Sequence, residues 1–575
     1  MALSGVMALL LLQIACAAGK RTAVAAAHNN NNNNNNAGTP LPVSSIFTPA
    51  PKLVVGIVVD QMRPDYVYRY WDKLGDRGFK RLLKEGFECQ NAQYNYVPTY
   101  TAPGHTSIYT GTTPAVHGII SNNWYLRDQD RETYCTEDDS EKTVGSTTAA
   151  GQMSPRNMLT TTITDELRLF SNEQSKVVGI SIKDRGAILP AGHLGTAYWL
   201  DAYDTWGEAA PQKASFITST YYKKELPEWV KKFNALDRGG QLLSKPWQTL
   251  LPIEQYSRQS LPDNTPYEAA FMAGQAPVFP YNLPDIAKNK GWGIIRSTPF
   301  GNTLLKEFAV AAIEGEQLGK GAVTDFISIS FSSPDYIGHR FGTRAIETED
   351  TYLRLDQDIA ELLDFLDSHV GLQNVLLFLT ADHAAAEVAQ FLIDKRVPAG
   401  YFDPAEPISQ LKARYYKQYG DSLVSSYSNS QIFLDRTAIA RKGISLAAAQ
   451  SFAADFMLQF KGVAQVQTAD QLQKSTFTDR MRQIVQNGYH VKRSGDVLIT
   501  LEPAWMEYEN TGTTHGTEYN YDTKVPLIWF GGGVKTGKTA RHINITDIAP
   551  TLAVWLNLPF PNGCTGEPIV EILNK

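Results

Sequence analysis

The sequence predicts an α/β fold in which helices cover both faces of a mostly parallel central sheet. Near-continuous apolar runs rich in β-branched residues recur along the chain, which is typical of strands buried on both faces. Helical segments separate these runs, and most runs lead directly into charged residues. Such residues collect at the carboxyl edge of a parallel sheet, where ligands bind. The predicted strands are Leu53–Asp60, Val177–Ile182, Phe326–Phe331, Val375–Thr380 and Val525–Phe530.

Two long helices are predicted between these strands. One spans about residues 154–170, and the other spans residues 347–369 with apolar residues along one face. A shorter helix includes Pro103, because proline suits the first turn of a helix. Thr101 then lies at or near the helix N-cap, beside free backbone N–H groups and the positive end of the helix dipole. Such a position favours an anion.

Two stretches interrupt the alternation of strands and helices. Residues 192–291 are rich in Trp, Tyr and Pro without clear periodicity, and we expect an insertion over the site there. Residues 402–505 contain a β-α-β-like passage, which predicts a small accessory subdomain. The 575-residue chain is therefore expected to have one catalytic domain, residues 46–575, with two insertions.

The N-terminus indicates export. Residues 1–18 are predicted to be a signal peptide, because a short apolar run ends near Ala-Cys-Ala, which resembles a cleavage site. Lipid attachment at Cys16 is the alternative. Residues 19–45, with eight consecutive asparagines, are predicted to be a flexible linker. We therefore expect a periplasmic or secreted protein without an integral membrane segment.

Composition and cysteine content narrow the picture further. The formal net charge is −6 and the basic residues are dispersed, which argues against a nucleic-acid partner. A hydrophobic content of 43% supports a large core. In an oxidising compartment Cys89 and Cys135 are candidates for a disulfide, although the odd Cys564 leaves the pairing open.

Six acidic and imidazole side chains lie at or near the ends of the predicted strands. A set of carboxylates and imidazoles without thiolates suits zinc or another borderline divalent ion. Six ligands exceed what one tetrahedral ion with an open position needs, so they suit two ions. Taken singly, each residue is as readily a helix cap or a turn former. The six are Asp60, Asp335, His339, Asp382, His383 and His515.

Other polar residues fall into two groups. Lys183 and Arg185 are two apart in an extended segment, so both cations are able to face one anionic ligand, and the Asn122 amide is a further donor. His105 and His117 lie in Gly-bounded turns without a carboxylate companion, and we interpret both as structural.

Together, the motifs resemble the alkaline phosphatase superfamily. Among its branches the chain is most similar to periplasmic bacterial alkaline phosphatases with a threonine nucleophile, which share a catalytic core with nucleotide pyrophosphatase/phosphodiesterases. The motifs follow the order of the family and span about residues 53–530. They are Val59-Asp60-Gln61-Met62-Arg63, Pro98-Thr99-Tyr100-Thr101-Ala102-Pro103-Gly104-His105, Asp335-x3-His339, Thr380-Ala381-Asp382-His383 and Gly512-Thr513-Thr514-His515-Gly516.

The resemblance implies a role for each site residue. One zinc ion would be bound by Asp335, His339 and His515, and a second by Asp60, Asp382 and His383 together with the Thr101 oxygen. Thr101 would attack phosphorus to give a covalent phosphothreonine, which water then hydrolyses. Asn122, Lys183 and Arg185 would hold the non-bridging oxygens. The expected protein is a monomer with two zinc ions that acts on small phosphorylated substrates.

The preference for a monoester depends on Lys183 and Arg185. A monoester presents an additional anionic oxygen, whereas a diester carries an organic group that leaves buried cations poorly paired. The resemblance implies that Lys-x-Arg marks the monoesterase branch, so weaker phosphodiesterase activity is expected. The alternatives are a phosphodiesterase or nucleotide pyrophosphatase, a sulfatase (disfavoured by a threonine where that branch has Cys or Ser), and a phosphate-binding protein without catalysis.

Overall fold

A ten-stranded mixed sheet forms the centre of the molecule. The computed structural model describes residues 50–202 and 213–573, so the predicted signal peptide and linker lie outside the described residues. The strands of this sheet are β1 (Leu53–Val59), β2 (Phe87–Cys89), β3 (Thr143–Val144), β4 (Val177–Ser181), β5 (Thr196–Asp201), β6 (Ser215–Ser219), β7 (Asp325–Phe331), β8 (Val375–Thr380), β9 (Leu527–Gly531) and β10 (Gly537–Thr539).

Parallel pairing dominates the middle of this sheet. The strand order is β10-β2-β9-β8-β1-β7-β4-β5-β6-β3, and β8, β1, β7, β4 and β5 all run in the same direction. The strands β9 and β6 that flank this group are antiparallel to it. Every residue of β1, β7 and β8 is buried, as continuous apolar runs predict for central strands. The predicted α/β class is confirmed.

Twelve helices of eight or more residues occur in the described part of the chain. They are α1 (Thr101–Thr110), α2 (Ile163–Phe170), α3 (Asp184–Ala191), α4 (Glu228–Ala235), α5 (Leu283–Lys290), α6 (Phe300–Gly315), α7 (Ser333–Phe341), α8 (Ile346–His369), α9 (Ala405–Tyr419), α10 (Leu446–Met457), α11 (Arg480–Gly488) and α12 (Ile548–Leu556).

Two local predictions need correction, and a third is made more specific. The helix expected over residues 154–170 begins only at Ile163, because Thr162 and Asp165 form a capping box that fixes its start. The last predicted strand is divided at Pro526, which lacks the N–H group that a ladder requires. Thr101 is the first residue of α1, and Tyr100 is its N-cap.

The two predicted insertions have different structures. The first stretch contributes β5 and β6 to the central sheet, so only its remainder lies outside that sheet. Residues 402–505 include a separate four-stranded sheet with its own cluster of buried apolar side chains. Its strands are Val424–Ser428, Gln431–Leu434, Val463–Thr468 and Val497–Leu501. We call residues 402–505 the accessory subdomain.

The cysteines and the helix lengths bear on the predicted environment. Cys89 and Cys135 are both buried free thiols, and Cys564 is also free, so the disulfide considered from the sequence is not formed in this structure. Within the described ranges, none of the helices has the length and apolarity that a bilayer-spanning segment needs.

Candidate active site

Three adjacent parallel strands bring most of the predicted metal ligands to one edge of the sheet. Asp60 directly follows β1, and Asp382 and His383 follow β8 after a single alanine. Asp335 and His339 lie four residues apart on α7, which follows β7, so both project from one face of that helix. Because β8, β1 and β7 are neighbours in the sheet, their carboxyl ends place these five side chains together.

His515 lies at the same edge of the sheet, but it precedes a strand, whereas the other ligands follow one. It precedes β9, which is antiparallel to β8, so the loop before β9 lies beside the carboxyl ends of the parallel strands. Its ring stacks on that of His383, with the ring centroids 3.4 Å apart. Its Nε2 lies 3.5 Å from Asp335 Oδ1, and the Nε2 of His339 lies 3.1 Å from the same oxygen. The structure therefore brings all six predicted ligands together.

The three imidazoles share one orientation. The Nδ1 of His339 faces the carbonyl oxygen of Thr513 at 2.8 Å, and that of His515 faces the Thr99 carbonyl at 2.6 Å. His383 Nδ1 faces the Ala384 carbonyl at 3.0 Å. A carbonyl only accepts, so Nδ1 is the donor in each ring and Nε2 is directed to the carboxylates. Histidines that bind metals through Nε2 have this arrangement.

Unsatisfied ligand atoms at the centre of this cluster fit a metal ion. Asp60 Oδ1, Asp382 Oδ2 and His383 Nε2 are buried and make no hydrogen bond. His383 Nε2 lies 3.4 Å from Asp60 Oδ1 and 3.7 Å from Asp382 Oδ2. Ligands about 2.0–2.1 Å from a tetrahedral zinc ion are about 3.3 Å from one another. These three are all metal-ligand atoms gathered at close to zinc-ligand spacing, and this grouping points to a bound cation.

Lys183 is the one ammonium in contact with the cluster carboxylates among the described residues. It follows β4, the parallel neighbour of β7, and its Nζ donates to Asp60 Oδ2 at 2.7 Å and to Asp335 Oδ2 at 2.6 Å. Burial lowers the pKa of Lys183, but the two carboxylates outweigh that effect and raise the pKa above its ordinary value. Three buried carboxylates thus face the Lys183 ammonium and the His339 ring that pairs with Asp335, which leaves negative charge for divalent ions to neutralise.

The pKa values of the clustered side chains reflect the same excess of negative charge. Burial raises the pKa of Asp60 and that of Asp382, and the charges of neighbouring carboxylates raise both further. Burial alone would raise the pKa of Asp335, but His339 and Lys183 hold it well below its usual range. Burial lowers the pKa of His383 well below its ordinary value, which keeps its Nε2 lone pair available to a metal.

The first turn of α1 packs directly on this cluster. A Cβ atom at Gly104 would lie 2.3 Å from the Asp382 carbonyl oxygen, so glycine is required for this close approach. Thr101 is buried at the start of this helix. The His105 Nδ1–H group donates to the Thr101 carbonyl at 2.9 Å and lies 3.4 Å from Asp382 Oδ2. The Thr101 hydroxyl is therefore carried at the helix N-terminus beside the cluster.

Two histidines that we interpreted as structural do not lie where the sequence suggested. His105 and His117 both lie on helices rather than in turns, and His105 has a carboxylate companion in Asp382. Burial lowers the pKa of His105 to about 3, so the ring is neutral. His117 meets the structural interpretation, since its two ring nitrogens are paired with Ser107 Oγ and the Ile119 N–H group.

Asn122 and Arg185 are the other two residues predicted to bind phosphate. Asn122 Oδ1 accepts the N–H group of Ala102 at 2.9 Å, so the Asn122 amide lies next to Thr101 and its NH₂ group is left to donate to a ligand. Arg185 is on the first turn of α3, and its Nη1 donates to the Tyr134 hydroxyl at 2.8 Å. Among the described residues, no direct contact joins Arg185 to the six clustered ligands.

Comparison with known proteins places the chain in a family. A family model described as type I phosphodiesterase / nucleotide pyrophosphatase matches residues 54–524. The chain belongs to this family. The match covers most of the chain and contains all six clustered ligands, and it confirms the family resemblance that the motifs predict.

Close relatives of this phosphodiesterase-family chain carry two different names. A protein of Myroides odoratus named calcium-transporting ATPase is 46% identical over 531 residues, which are 91% of this chain and 95% of the relative. Alkaline phosphatase PafA of Elizabethkingia meningoseptica is 43% identical over 92% of this chain and 95% of its own length. A crystal structure of wild-type PafA superimposes with a TM-score of 0.86 at 44% identity, covering 92% of this chain and 99% of that one.

Gln61 is a site residue of this family member that sequence reasoning missed. Its Nε2 donates to Asp335 Oδ1 at 2.7 Å, and its backbone N–H group donates to Asp382 Oδ1 at 3.2 Å. It adopts a φ of 62°, which is uncommon for a residue with a side chain and places both donors on the cluster. Its position directly after Asp60 at a strand end was the available signal.

Proposed function

We propose that this protein is a zinc-dependent alkaline phosphatase that hydrolyses phosphate monoesters through a covalent intermediate on Thr101. The observation that carries this proposal is the buried cluster of carboxylates and imidazoles with unsatisfied ligand atoms beside the N-terminus of α1. A relative named alkaline phosphatase, 43% identical over nearly its whole length, supports the choice of reaction. The predicted export, monomeric state and small phosphorylated substrates belong to the same proposal.

The residues of the site suggest how the reaction proceeds. Two zinc ions, when bound, would polarise the phosphoryl group and favour the deprotonated forms of a hydroxyl group and of water. The Thr101 oxygen attacks phosphorus in line, so a Thr–O–P bond forms as the ester P–O bond breaks and the alcohol leaves. Water then attacks the same phosphorus and releases inorganic phosphate, which regenerates the Thr101 hydroxyl. The helix N-terminus stabilises the charge that develops on the phosphoryl oxygens.

We assign the selectivity for monoesters to the cationic side chains of Lys183 and Arg185. Lys183 uses two of its three donors on Asp60 and Asp335, which leaves the third for a phosphoryl oxygen. Arg185 is held by the Tyr134 hydroxyl and offers further donors of its guanidinium fork. A diester lacks the additional anionic oxygen that these groups would bind, so we propose weaker phosphodiesterase activity.

A phosphodiesterase or nucleotide pyrophosphatase is the second candidate, because the matching family model has that description. A phosphate-binding protein without catalysis is the third candidate. It shares the ligand set but predicts affinity for phosphate without turnover. The name of the Myroides odoratus relative makes ATP a substrate to include in any test.

The decisive experiment combines metal analysis with kinetics. We would measure kcat/KM for an aryl phosphate monoester, an aryl phosphate diester and ATP with the wild type and with Thr101→Ala. The proposal predicts two zinc ions per chain, a higher kcat/KM for the monoester than for the diester, and loss of turnover in Thr101→Ala. Thr101→Ser retains the hydroxyl and is the matched control, expected to keep most of the activity.

Three outcomes would contradict the proposal. Full activity in Thr101→Ala would show that Thr101 is not the nucleophile. Faster hydrolysis of the diester than of the monoester would favour the second candidate. Phosphate binding without turnover in the zinc-loaded wild type would favour the third. For selectivity, the double variant Lys183→Ala, Arg185→Ala must lower the ratio of monoester to diester kcat/KM, and an unchanged ratio would refute that assignment.

A further inference from the structure

A β-hairpin of the accessory subdomain has its tip at the edge of the candidate active site. The strands Val424–Ser428 and Gln431–Leu434 pair through Ser428 and Gln431, so Asn429 and Ser430 form a two-residue loop between them. Their φ values are 54° and 55°, as the common two-residue hairpin turn with positive φ at both positions requires. Asn tolerates this left-handed conformation better than most residues, so the backbone at Asn429 is not strained.

The Asn429 side chain binds the residues on either side of Asn122. Its Oδ1 accepts the hydroxyl proton of Ser121 at 2.8 Å, and its Nδ2 donates to the backbone carbonyl of Asn123 at 2.8 Å. Ser121 is fully buried, so loss of its hydrogen bond to Asn429 would leave a buried hydroxyl group less satisfied, which costs free energy. The Asn429 amide thus contacts both neighbours of Asn122, although Asn429 lies more than 300 residues away from them in the sequence.

The hairpin tip is itself held in place. Glu507 accepts hydrogen bonds from the Ser430 hydroxyl at 2.7 Å and from the Tyr427 hydroxyl, so one carboxylate fixes residues on either side of Asn429. On the other side, the backbone carbonyl of Asn122 accepts the Cys135 N–H group at 2.9 Å. Asn429 therefore connects two segments that are each held by hydrogen bonds of their own.

We propose that Asn429 is a positioning residue that sets the orientation of the Asn122 amide toward the phosphoryl group. The inference rests on the proposed function, in which Asn122 donates to a non-bridging oxygen. Asn122 Oδ1 is engaged by the Ala102 N–H group, so its NH₂ group points to the substrate only if its backbone stays in register with α1. The accessory subdomain would then complete the phosphate site through this one side chain.

The test substitutes Asn429 by glycine. Asn429→Gly removes the side-chain amide but keeps a residue that adopts a positive φ freely, so the hairpin turn is retained. Displacement of Asn122 by a fraction of an ångström is expected to lower kcat/KM for the aryl monoester about 10-fold. Inhibition by inorganic phosphate should weaken in parallel, because phosphate uses the same Asn122 donor. Ser426→Ala, on the same hairpin, is the matched control and should leave both quantities unchanged.

A double-mutant cycle decides whether Asn429 acts through Asn122. In an Asn122→Ala background, Asn429→Gly should change kcat/KM by less than about 2-fold, because the group being positioned is already gone. A full additional decrease in that background would overturn the proposal. It would show that Asn429 acts independently of Asn122, for example through the cavity that Asn429 and His515 both line. An unchanged kcat/KM in Asn429→Gly with the wild-type Asn122 would also overturn it.

Failure of this inference is distinguishable from failure of the proposed function. If Thr101→Ala remains active, the catalytic assignment itself is wrong. If Thr101→Ala is inactive and Asn122→Ala is impaired while Asn429→Gly behaves as wild type, only the positioning role is refuted. Thermal denaturation of Asn429→Gly beside Ser426→Ala shows whether either hairpin substitution disturbs folding.

Discussion

Two buried carboxylates, Asp382 at the candidate active site and Asp496 in the accessory subdomain, show how partners rather than burial distinguish a binding site. Both are 0% exposed. Asp496 Oδ1 accepts from Arg436 and Gln450, and its Oδ2 accepts from Arg127 and the Leu434 N–H group. Asp382 Oδ2, by contrast, makes no hydrogen bond at all.

The same contrast separates two buried histidines. Both ring nitrogens of His117 are paired with protein groups, whereas the Nε2 of His383 has no partner. Unsatisfied buried atoms also occur elsewhere in the described chain, for example on Asn302 and Gln467. The distinguishing feature here is that His383 Nε2 lies 3.4 and 3.7 Å from two unsatisfied carboxylate oxygens, which are atoms of the kind that bind metals. The Asp382 and His383 atoms are therefore candidates for a binding site, whereas the polar atoms of Asp496 and His117 are satisfied within the fold.

The largest expected difference is in catalysis. Asp382→Asn replaces an oxygen that we propose binds a metal ion, and it should lower kcat/KM for the aryl monoester by at least about 100-fold. Asp496→Asn should leave the kcat/KM of the folded protein within about 3-fold of wild type, because Asp496 lies in a structural ion-pair network. Steady-state kinetics normalised to folded protein measures both. Equal losses in the two variants would show that the unsatisfied oxygen has no special role.

The free energy of unfolding should respond more to the Asp496 substitution than to the Asp382 substitution. Asp496→Asn leaves Arg127 and Arg436 without their buried counter-charge and should lower the free energy of unfolding by about 3 kcal/mol. Chemical denaturation of the zinc-loaded proteins measures this loss.

Metal removal should reveal the charge imbalance of the cluster. A chelator is expected to lower the Tm of the wild type, because the three buried carboxylates then keep only Lys183 and the His339 ring as partners of opposite charge. In the metal-free state Asp382→Asn should be at least as stable as the wild type, since it removes one of the repelling charges, whereas Asp496→Asn should remain less stable. A wild-type Tm that the chelator does not change would contradict the metal assignment.

The smallest expected effect concerns pH. Burial holds the pKa of His117 well below its ordinary value, so the unfolded chain binds a proton that the folded chain excludes. The stability from this group is present above pH 6.5 and is lost as the pH falls toward the folded pKa, by up to about 1.4 kcal/mol per unit. Between pH 6.5 and 5.5 the wild type should therefore lose about 1 kcal/mol more than His117→Gln.

Chemical denaturation at several pH values measures this difference. The exposed His542 provides the control, and His542→Gln should follow the wild-type pH dependence. If His117→Gln and the wild type lost stability equally on acidification, the neutral, saturated state of His117 would be refuted.

The prediction of the fold succeeded where local pattern and structure have the same cause. Continuous apolar runs identify β1, β7 and β8, because a strand between two helical layers is apolar on both faces. The helix expected over residues 347–369 occurs as α8, because its apolar residues repeat at helical spacing. The strands β5 and β6 went unrecognised within an aromatic-rich stretch whose periodicity is weak.

Residue types and their places at or near strand ends were enough to select all six candidate ligands, and the predicted helix start near Pro103 together with the family resemblance selected Thr101. The sequence could not show the contacts that complete the site, because these join segments far apart along the chain. The approach of His105 to Asp382, the donors that Gln61 directs at the cluster and the bonds from Asn429 around Asn122 all depend on the packing of separate elements. Local patterns encode local conformation and burial, whereas the partners of a buried polar atom are decided only when the chain has folded.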